Sequence, residues 1–141
     1  MDTLTHLYQN ISFCNLMKAQ FRKYLDNQYK DSSIVEIDRK IIDDDTLEIH
    51  RIHTNRYFFK TFHLIEKIQI NRKLKTYESN IDHYLYTEIC KYSEKENGVL
   101  YTQQYNAPAF IRSKKKEVFD IGIAVVDEII NNLQLRNSIQ I

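Results

Sequence analysis

The chain has 141 residues, 43% of them hydrophobic and 28% charged, with a formal net charge of +1. That length and balance read as one globular domain with a sizeable core, and the near-zero charge argues against general affinity for nucleic acid. Two cysteines, Cys14 and Cys90, allow one bridge at most and read as buried free thiols. No apolar run approaches the roughly 18 residues of a transmembrane helix. With Asp2 early and no arginine before Arg22, the N-terminus is expected to be neither a signal nor a transit peptide. Glycine is confined to Gly98 and Gly122 and proline to Pro108, so no glycine-rich phosphate loop exists.

In chain order, a short strand over Thr3–Gln9 precedes a helix over residues 12–28. In the helix, Phe13, Leu16, Met17, Phe21 and Tyr24 make one apolar stripe, and Ser12 is its expected N-cap. From Ser33 to Phe110 the pattern has period two. Val35, Ile37, Arg39 and Ile41 share one face. After an Asp43-Asp44-Asp45 turn, Leu47, Ile49, Arg51 and His53 continue that face, and the turn is expected to place Arg39 and Arg51 close together across a hairpin. Further strands are expected near 57–70, 73–83, 85–93 and 99–108, with Asn97-Gly98 as a hairpin turn. The last element is an amphipathic helix from Arg112 to about Ser138. Its apolar face is Val118, Ile121, Val125, Val126, Ile129, Ile130 and Leu133. The expected fold class is therefore α+β. A curved antiparallel sheet of six to seven strands wraps around a long C-terminal helix, with a further helix near the N-terminus.

Several spaced motifs point further. Phe13, Leu16, Ala19, Lys23 and Tyr24 mark the first helix. Arg39, the acidic turn, Leu47 and Arg51 follow, and then Lys75 to His83, centred on Asn80. Glu88 with Tyr92, Thr102-Gln103 and Ile121-Gly122-Ile123-Ala124 complete the set. In this order the motifs resemble the PRELI-like family, the slowmo/Ups group of mitochondrial phospholipid-transfer proteins, over roughly residues 3–137. The chain departs from the family in places. Tyr24-Leu25-Asp26-Asn27 replaces a Tyr-Pro-Asn-Pro turn. The stretch after Arg51 is too short for the family's helical lid, leaving Arg56 to Lys60 as the only flap. Of the basic residues in the family's last helix, only a displaced Lys114-Lys115-Lys116 cluster survives.

The resemblance implies a helix-grip fold and non-enzymatic transfer of a phospholipid, phosphatidic acid above all. It also implies transient contact with a membrane surface, a small helical partner with twin cysteine motifs, and the mitochondrial intermembrane space or a reduced relative of it. It implies no cofactor. Lys23, Arg39, Arg51 and Lys115 are the expected head-group ligands, and Phe58, Phe59, Lys60, Lys114 and Lys116 the expected docking or flap residues. Each has an ordinary alternative. Arg39 and Arg51 could pair with carboxylates, the lysines could be solvated, and Lys60 could sit in an edge strand. A helix-grip module that no longer carries lipid is the competing expectation.

Catalysis and metal binding find no support in the spacing. His50, His53, His63 and His83 form no zinc motif, and Asp43 to Asp45 lack the glycine and distal glutamate of an EF-hand. Glu78 and Glu88 are accompanied by no nucleophile.

Overall fold

The computed structural model describes residues 1–57 and 59–137. The elements run β1 Asp2–Gln9, α1 Phe13–Leu25, β2 Ile34–Ile41, β3 Thr46–Tyr57, β4 Lys60–Asn71, β5 Thr76–His83, β6 Tyr86–Lys95, β7 Gly98–Asn106 and α2 Ala109–Leu133. The seven strands form one sheet in the order β1-β7-β6-β5-β4-β3-β2, every pair antiparallel. Strands β2 to β7 are a meander. The chain enters on one edge with β1, crosses the sheet through α1 and resumes on the other edge with β2. Both helices pack on the inner face, which fits the helix-grip arrangement of an α+β fold.

Local chemistry sets the helix ends. Ser12 accepts the Asn15 N–H at 3.1 Å, as an N-cap should. The free N–H of Phe13 is taken by the Glu94 carboxylate at 2.8 Å, which ties the helix start to β6. Helix α1 stops at Leu25, short of the expected residue 28, because Asp26 is extended. Helix α2 starts three residues earlier than expected, directly after Pro108, whose fixed φ suits a helix entrance. Its expected end, Ser138, lies outside the described residues, and the helix itself closes at Leu133. Gln134 there adopts the left-handed conformation (φ 54°). The tail then docks on the start of α1, with Asn15 donating to the Leu135 carbonyl at 3.0 Å and Asn137 to the Asn10 carbonyl at 2.7 Å.

The main core lies between α1, the second half of α2 and the sheet. Phe13, Leu16 and Met17 meet Ile49, Ile68, Tyr77, Tyr92 and Val99, with Val126, Ile129 and Ile130 above them. A smaller cluster of Leu64, Ile81, Tyr86, Tyr105 and Ala107 sits under the start of α2.

Three expectations need correction. A β-bulge between Glu36 and Asp38 reverses the facing of β2 partway along its length. Arg39 and Ile41 therefore share a face with Ile49 and Leu47, whereas Val35 pairs with Ile52 on the outer face and is exposed. Period-two reasoning assumes an unbroken pleat, and one extra residue defeats it. The strand expected from residue 73 begins at Thr76. Residues 72–75 form a turn, with Lys75 left-handed at φ 54°. Cys14 is exposed and only Cys90 is buried, so both thiols are free but in different settings.

Gly98 is the one glycine that the strand ladder demands. Its φ is +152°, and a Cβ there would lie 2.0 Å from the Tyr8 carbonyl oxygen of β1. Gly98→Ala is expected to cost about 2 kcal/mol or more through this collision and the backbone strain. Urea unfolding of the variant beside the parent measures it.

Candidate functional site

The inner face of the sheet can be read as rows running across the strands. One row is Leu47, Ile70, Tyr77, Tyr92, Tyr101 and His6. The next is Ile49, Ile68, Ser79, Cys90, Gln103 and Leu4. A third is Arg51, Glu66, Ile81, Glu88, Tyr105 and Asp2. Apolar residues would suffice to seat helices on such a surface, yet the second row is interrupted by Ser79 and Gln103 and the third is largely charged. Ser79, Gln103, Arg51, Glu66 and Glu88 are all buried. Buried polar groups cost free energy unless paired, so their partners define the site.

Two carboxylates anchor the third row. Glu66 accepts from Arg51 Nε at 2.9 Å, from Arg51 Nη2 at 2.5 Å and from His53 Nε2 at 2.8 Å. The Arg51 guanidinium also lies 3.7 Å from the centre of the Tyr24 ring. Glu88 accepts from Lys115 Nζ of α2 at 2.9 Å and from the Tyr86 hydroxyl and Cys90 thiol. Burial alone would raise the Glu66 carboxyl, but the His53 hydrogen bond and the Arg51 charge outweigh it and hold it down at about 2. Burial likewise opposes the Glu88 charge, and Lys115, Cys90 and Tyr86 overcome it, so that carboxyl is also lowered. Burial pushes the Cys90 thiol well up, with Glu88 adding to the effect, so Cys90 is an un-ionised donor rather than a nucleophile.

The first row is an aromatic ladder. Tyr77 and Tyr92 meet edge to face at 4.9 Å, Tyr92 and Tyr101 stack at 4.3 Å, and Tyr101 stacks on Phe119 of α2 at 5.5 Å. Gln20 of α1 donates to the Tyr92 hydroxyl.

Between these rows and α2 lies a cavity of about 540 Å³. Its floor includes Ser79, Cys90 and Gln103. Its mouth lies between the end of α1, the segment 29–34 and the first half of α2. The mouth exists because α1 is short. Asn15 sits beside Leu135, and a Cβ at Gly122 would be 3.3 Å from Lys23 Nζ, so α1 runs antiparallel to α2 and ends near its middle. Val118 and Ile121, expected as core, are consequently 60% and 57% exposed at the rim, with Phe110 at 40%.

Of the expected head-group ligands, Lys23, Arg51 and Lys115 line this cavity. Arg39 does not. It pairs with Glu36 at 2.7 Å in a narrow crevice of about 50 Å³ beside Phe21, which adjoins the cavity and is lined by Arg51 as well. The β2–β3 register sets Arg39 opposite Ile49 and Arg51 opposite Glu36, so the two arginines are not cross-strand partners. The charges of Arg51 and Lys115 are balanced by Glu66 and Glu88, which take two of the five guanidinium donors and one of the three ammonium donors. Lys23 is half-buried and makes no ion pair among the described residues, although its charge adds to the lowering of Asp31, which the Ser33 hydroxyl dominates. Lys114 is exposed at the rim, and Lys116 pairs with Asp120 at 2.5 Å on the solvent side.

The expected flap is the closed end of the β3–β4 hairpin. Phe59 is almost fully exposed there, and Lys60 lies 5.5 Å from the Phe62 ring. Phe58 lies outside the described residues. Asn80, at the centre of the strand motif, is exposed on the outer face. Glu78 is exposed there as well, on the opposite face from Glu88. Sequence reasoning missed Glu66, Cys90 and Gln103 as members of the floor. The available signal was a polar residue at an inward position, as Glu66 falls in step with Leu64, Ile68 and Ile70.

The fold and site define a helix-grip-like protein with a partly polar cavity under its last helix. No protein-family profile and no curated protein matches the chain. Among solved structures the backbone is similar to that of TTHA0849 from Thermus thermophilus. The two share 10% identity over 94% of this chain and 94% of that one, with a TM-score of 0.46.

The Arg51–Glu66 pair yields two expectations. Glu66→Leu leaves a buried guanidinium without its counter-charge and should cost about 3–5 kcal/mol, most of it recovered when Arg51→Met is added. Equilibrium unfolding of both variants checks this. A carboxyl held at about 2 against its ordinary 4.5 stabilises the fold in full above about pH 4.5, and that contribution drains away as pH falls toward 2. Acid unfolding curves should therefore be steeper for the parent than for Glu66→Gln over that window.

Proposed function

We propose that this protein is a non-enzymatic carrier of an anionic phospholipid, held in the cavity between the sheet and the last helix. The observation that carries the proposal is the mouth. An open cavity is bordered by exposed Phe110, Val118 and Ile121, and Lys23 and Lys114 stand at the same opening without ion pairs among the described residues. Apolar side chains beside cations that make no ion pair match an anionic amphiphile, with Asp31 the carboxylate that lines the same cavity and feels the Lys23 charge. A chain loses about 0.8 kcal/mol of favourable burial per methylene exposed to water, so it moves between membranes only inside a comparably dry shell. The bilayer offers nearly the same gain as the shell, so the head group decides which lipid is taken. Phosphate favours a lysine that no carboxylate already occupies.

On this reading the phosphate sits at Lys23, near the mouth, and the carboxylate-paired Arg51 and Lys115 shape the floor. The rim touches the membrane, and Lys114 adds about 1 kcal/mol of attraction to an anionic leaflet. The ordered PRELI-like motifs support phosphatidic acid as cargo, the mitochondrial intermembrane space as the setting, and a small helical twin-cysteine partner.

Native mass spectrometry after incubation with vesicles containing phosphatidic acid tests the proposal. One bound lipid per chain is expected, and Lys23→Glu should reduce the bound fraction at least fivefold. A protein that emerges without lipid sinks the carrier reading. That result would favour the alternative, an interaction module that no longer carries lipid, whose supporting observation is that Glu66 and Glu88 already neutralise Arg51 and Lys115.

A further inference from the structure

The two edges of the sheet differ in what they show to solvent. On β1 the exposed side chains are Asp2, Thr3, Thr5 and Gln9. On β2 and the residue that follows it, Val35, Ile37, Ile41 and Ile42 are all more than half exposed, and Ile41 reaches 82%. As an edge strand, β2 also carries a row of backbone N–H and C=O groups with no strand beside it. Charges and bulges commonly protect such an edge, and β2 has both. They protect it only if a second strand would meet repulsion or the wrong face.

Here they do the opposite. The bulge between Glu36 and Asp38 resets the pleat, so Ile34, Glu36, Arg39 and Ile41 all face inward, opposite His53, Arg51, Ile49 and Leu47. That inward series reads Ile, Glu, Arg, Ile. Laid antiparallel on a second copy about a two-fold axis between Ile37 and Asp38, it complements itself. Glu36 meets the partner's Arg39 and Ile34 meets the partner's Ile41, each contact occurring twice. Without the bulge, Glu36 and Arg39 would point to opposite faces, and no such pairing could bring them together.

The remaining positions tolerate the same register. On the outer face Val35 meets the aliphatic stem of the partner's Lys40. Asp38, close to the axis, has the His50 ring 4.0 Å away on β3. Glu36 and Asp38 balance Arg39 and Lys40, so the strand does not repel its own copy. Glu36 and Arg39 already pair within the strand at 2.7 Å, and across the axis the four charges would form one network.

We propose that β2 is a docking edge for a second copy of this chain, pairing antiparallel so that one sheet runs through both subunits. Self-complementarity is what selects a second copy over a foreign strand. The proposal does not rest on the carrier reading.

Sedimentation velocity of the whole chain tests it, with circular dichroism as the check on folding. A small edge-to-edge interface dissociates in the micromolar range, so the parent should be dimeric at about 100 µM and come apart on dilution. Glu36→Arg leaves only cations at the two inward charged positions, and Arg39→Glu only anions. Each variant alone should self-associate about tenfold more weakly or worse. Mixed in equal amounts they complement one another, and a heterodimer should form with nearly the parent's affinity. If a single variant misfolds, the double variant Glu36→Arg/Arg39→Glu exchanges the two charges and should dimerise like the parent. A parent that stays monomeric at about 100 µM overturns the proposal. So does a dimer that survives either single reversal, since its contact must lie elsewhere. Failure of both the mixture and the double variant to recover the dimer overturns it as well.

Discussion

A seven-stranded sheet offers more inner surface than two helices can cover. At about 4.8 Å per strand spacing it is about 29 Å wide, whereas two packed helices span about 20 Å. Lengths are mismatched as well. Helix α2, with 25 residues, runs about 37 Å, and α1, with 13, about 20 Å. Where both helices lie on the sheet, Leu16, Ala19, Val126, Ile129 and Ile130 are nearly water-free. Past the end of α1 the sheet has one helix above it, and the cavity occupies the shortfall.

The polar rows lie in this under-covered region. At the apolar end of the inner face, Leu47, Ile70 and Val99 need only contact. Further along, Arg51, Glu66 and Glu88 could not be buried singly, because an isolated ion in a low-dielectric interior costs several kcal/mol. They come as pairs joined across strands and, through Lys115, across to α2. The Lys115–Glu88 contact thus fastens the otherwise poorly supported first half of α2 to the sheet. The same pairs balance the charges of Arg51 and Lys115, whereas Lys23 makes no ion pair among the described residues. Gly122 is part of that arrangement. A helix-interior glycine sacrifices about 0.5–1 kcal/mol relative to alanine, and here it leaves room for the Lys23 ammonium to lie against α2.

Legibility differed by element. The capping Ser12, the alternation in β3 and the amphipathic α2 are local patterns and formed at or within a few residues of where they were read, and the hairpin turn read at Asn97-Gly98 falls on Glu96-Asn97, with Gly98 opening β7. The facing of β2 was not legible, because a bulge has no period of its own. Val118 and Ile121 were misread for a related reason. Periodicity reports that a helix has an apolar stripe and is silent on whether anything covers it. Arg39 and Arg51 looked alike along the chain, yet one pairs at the surface with Glu36 and the other is buried with Glu66. Which carboxylate reaches which cation depends on strand register.

From the amino-acid sequence alone came the α+β class, the meander of strands and the two helices, because these depend on nearest-neighbour geometry and on the 2.0 and 3.6 residue periods. The three-dimensional arrangement decided what the inner face is for. Glu66, Glu88, Cys90 and Gln103 are separated along the chain and become one floor only when β4, β6 and β7 are laid side by side and α2 closes over them. Paired cations and an open mouth are relations between elements, and no single stretch of the chain contains them.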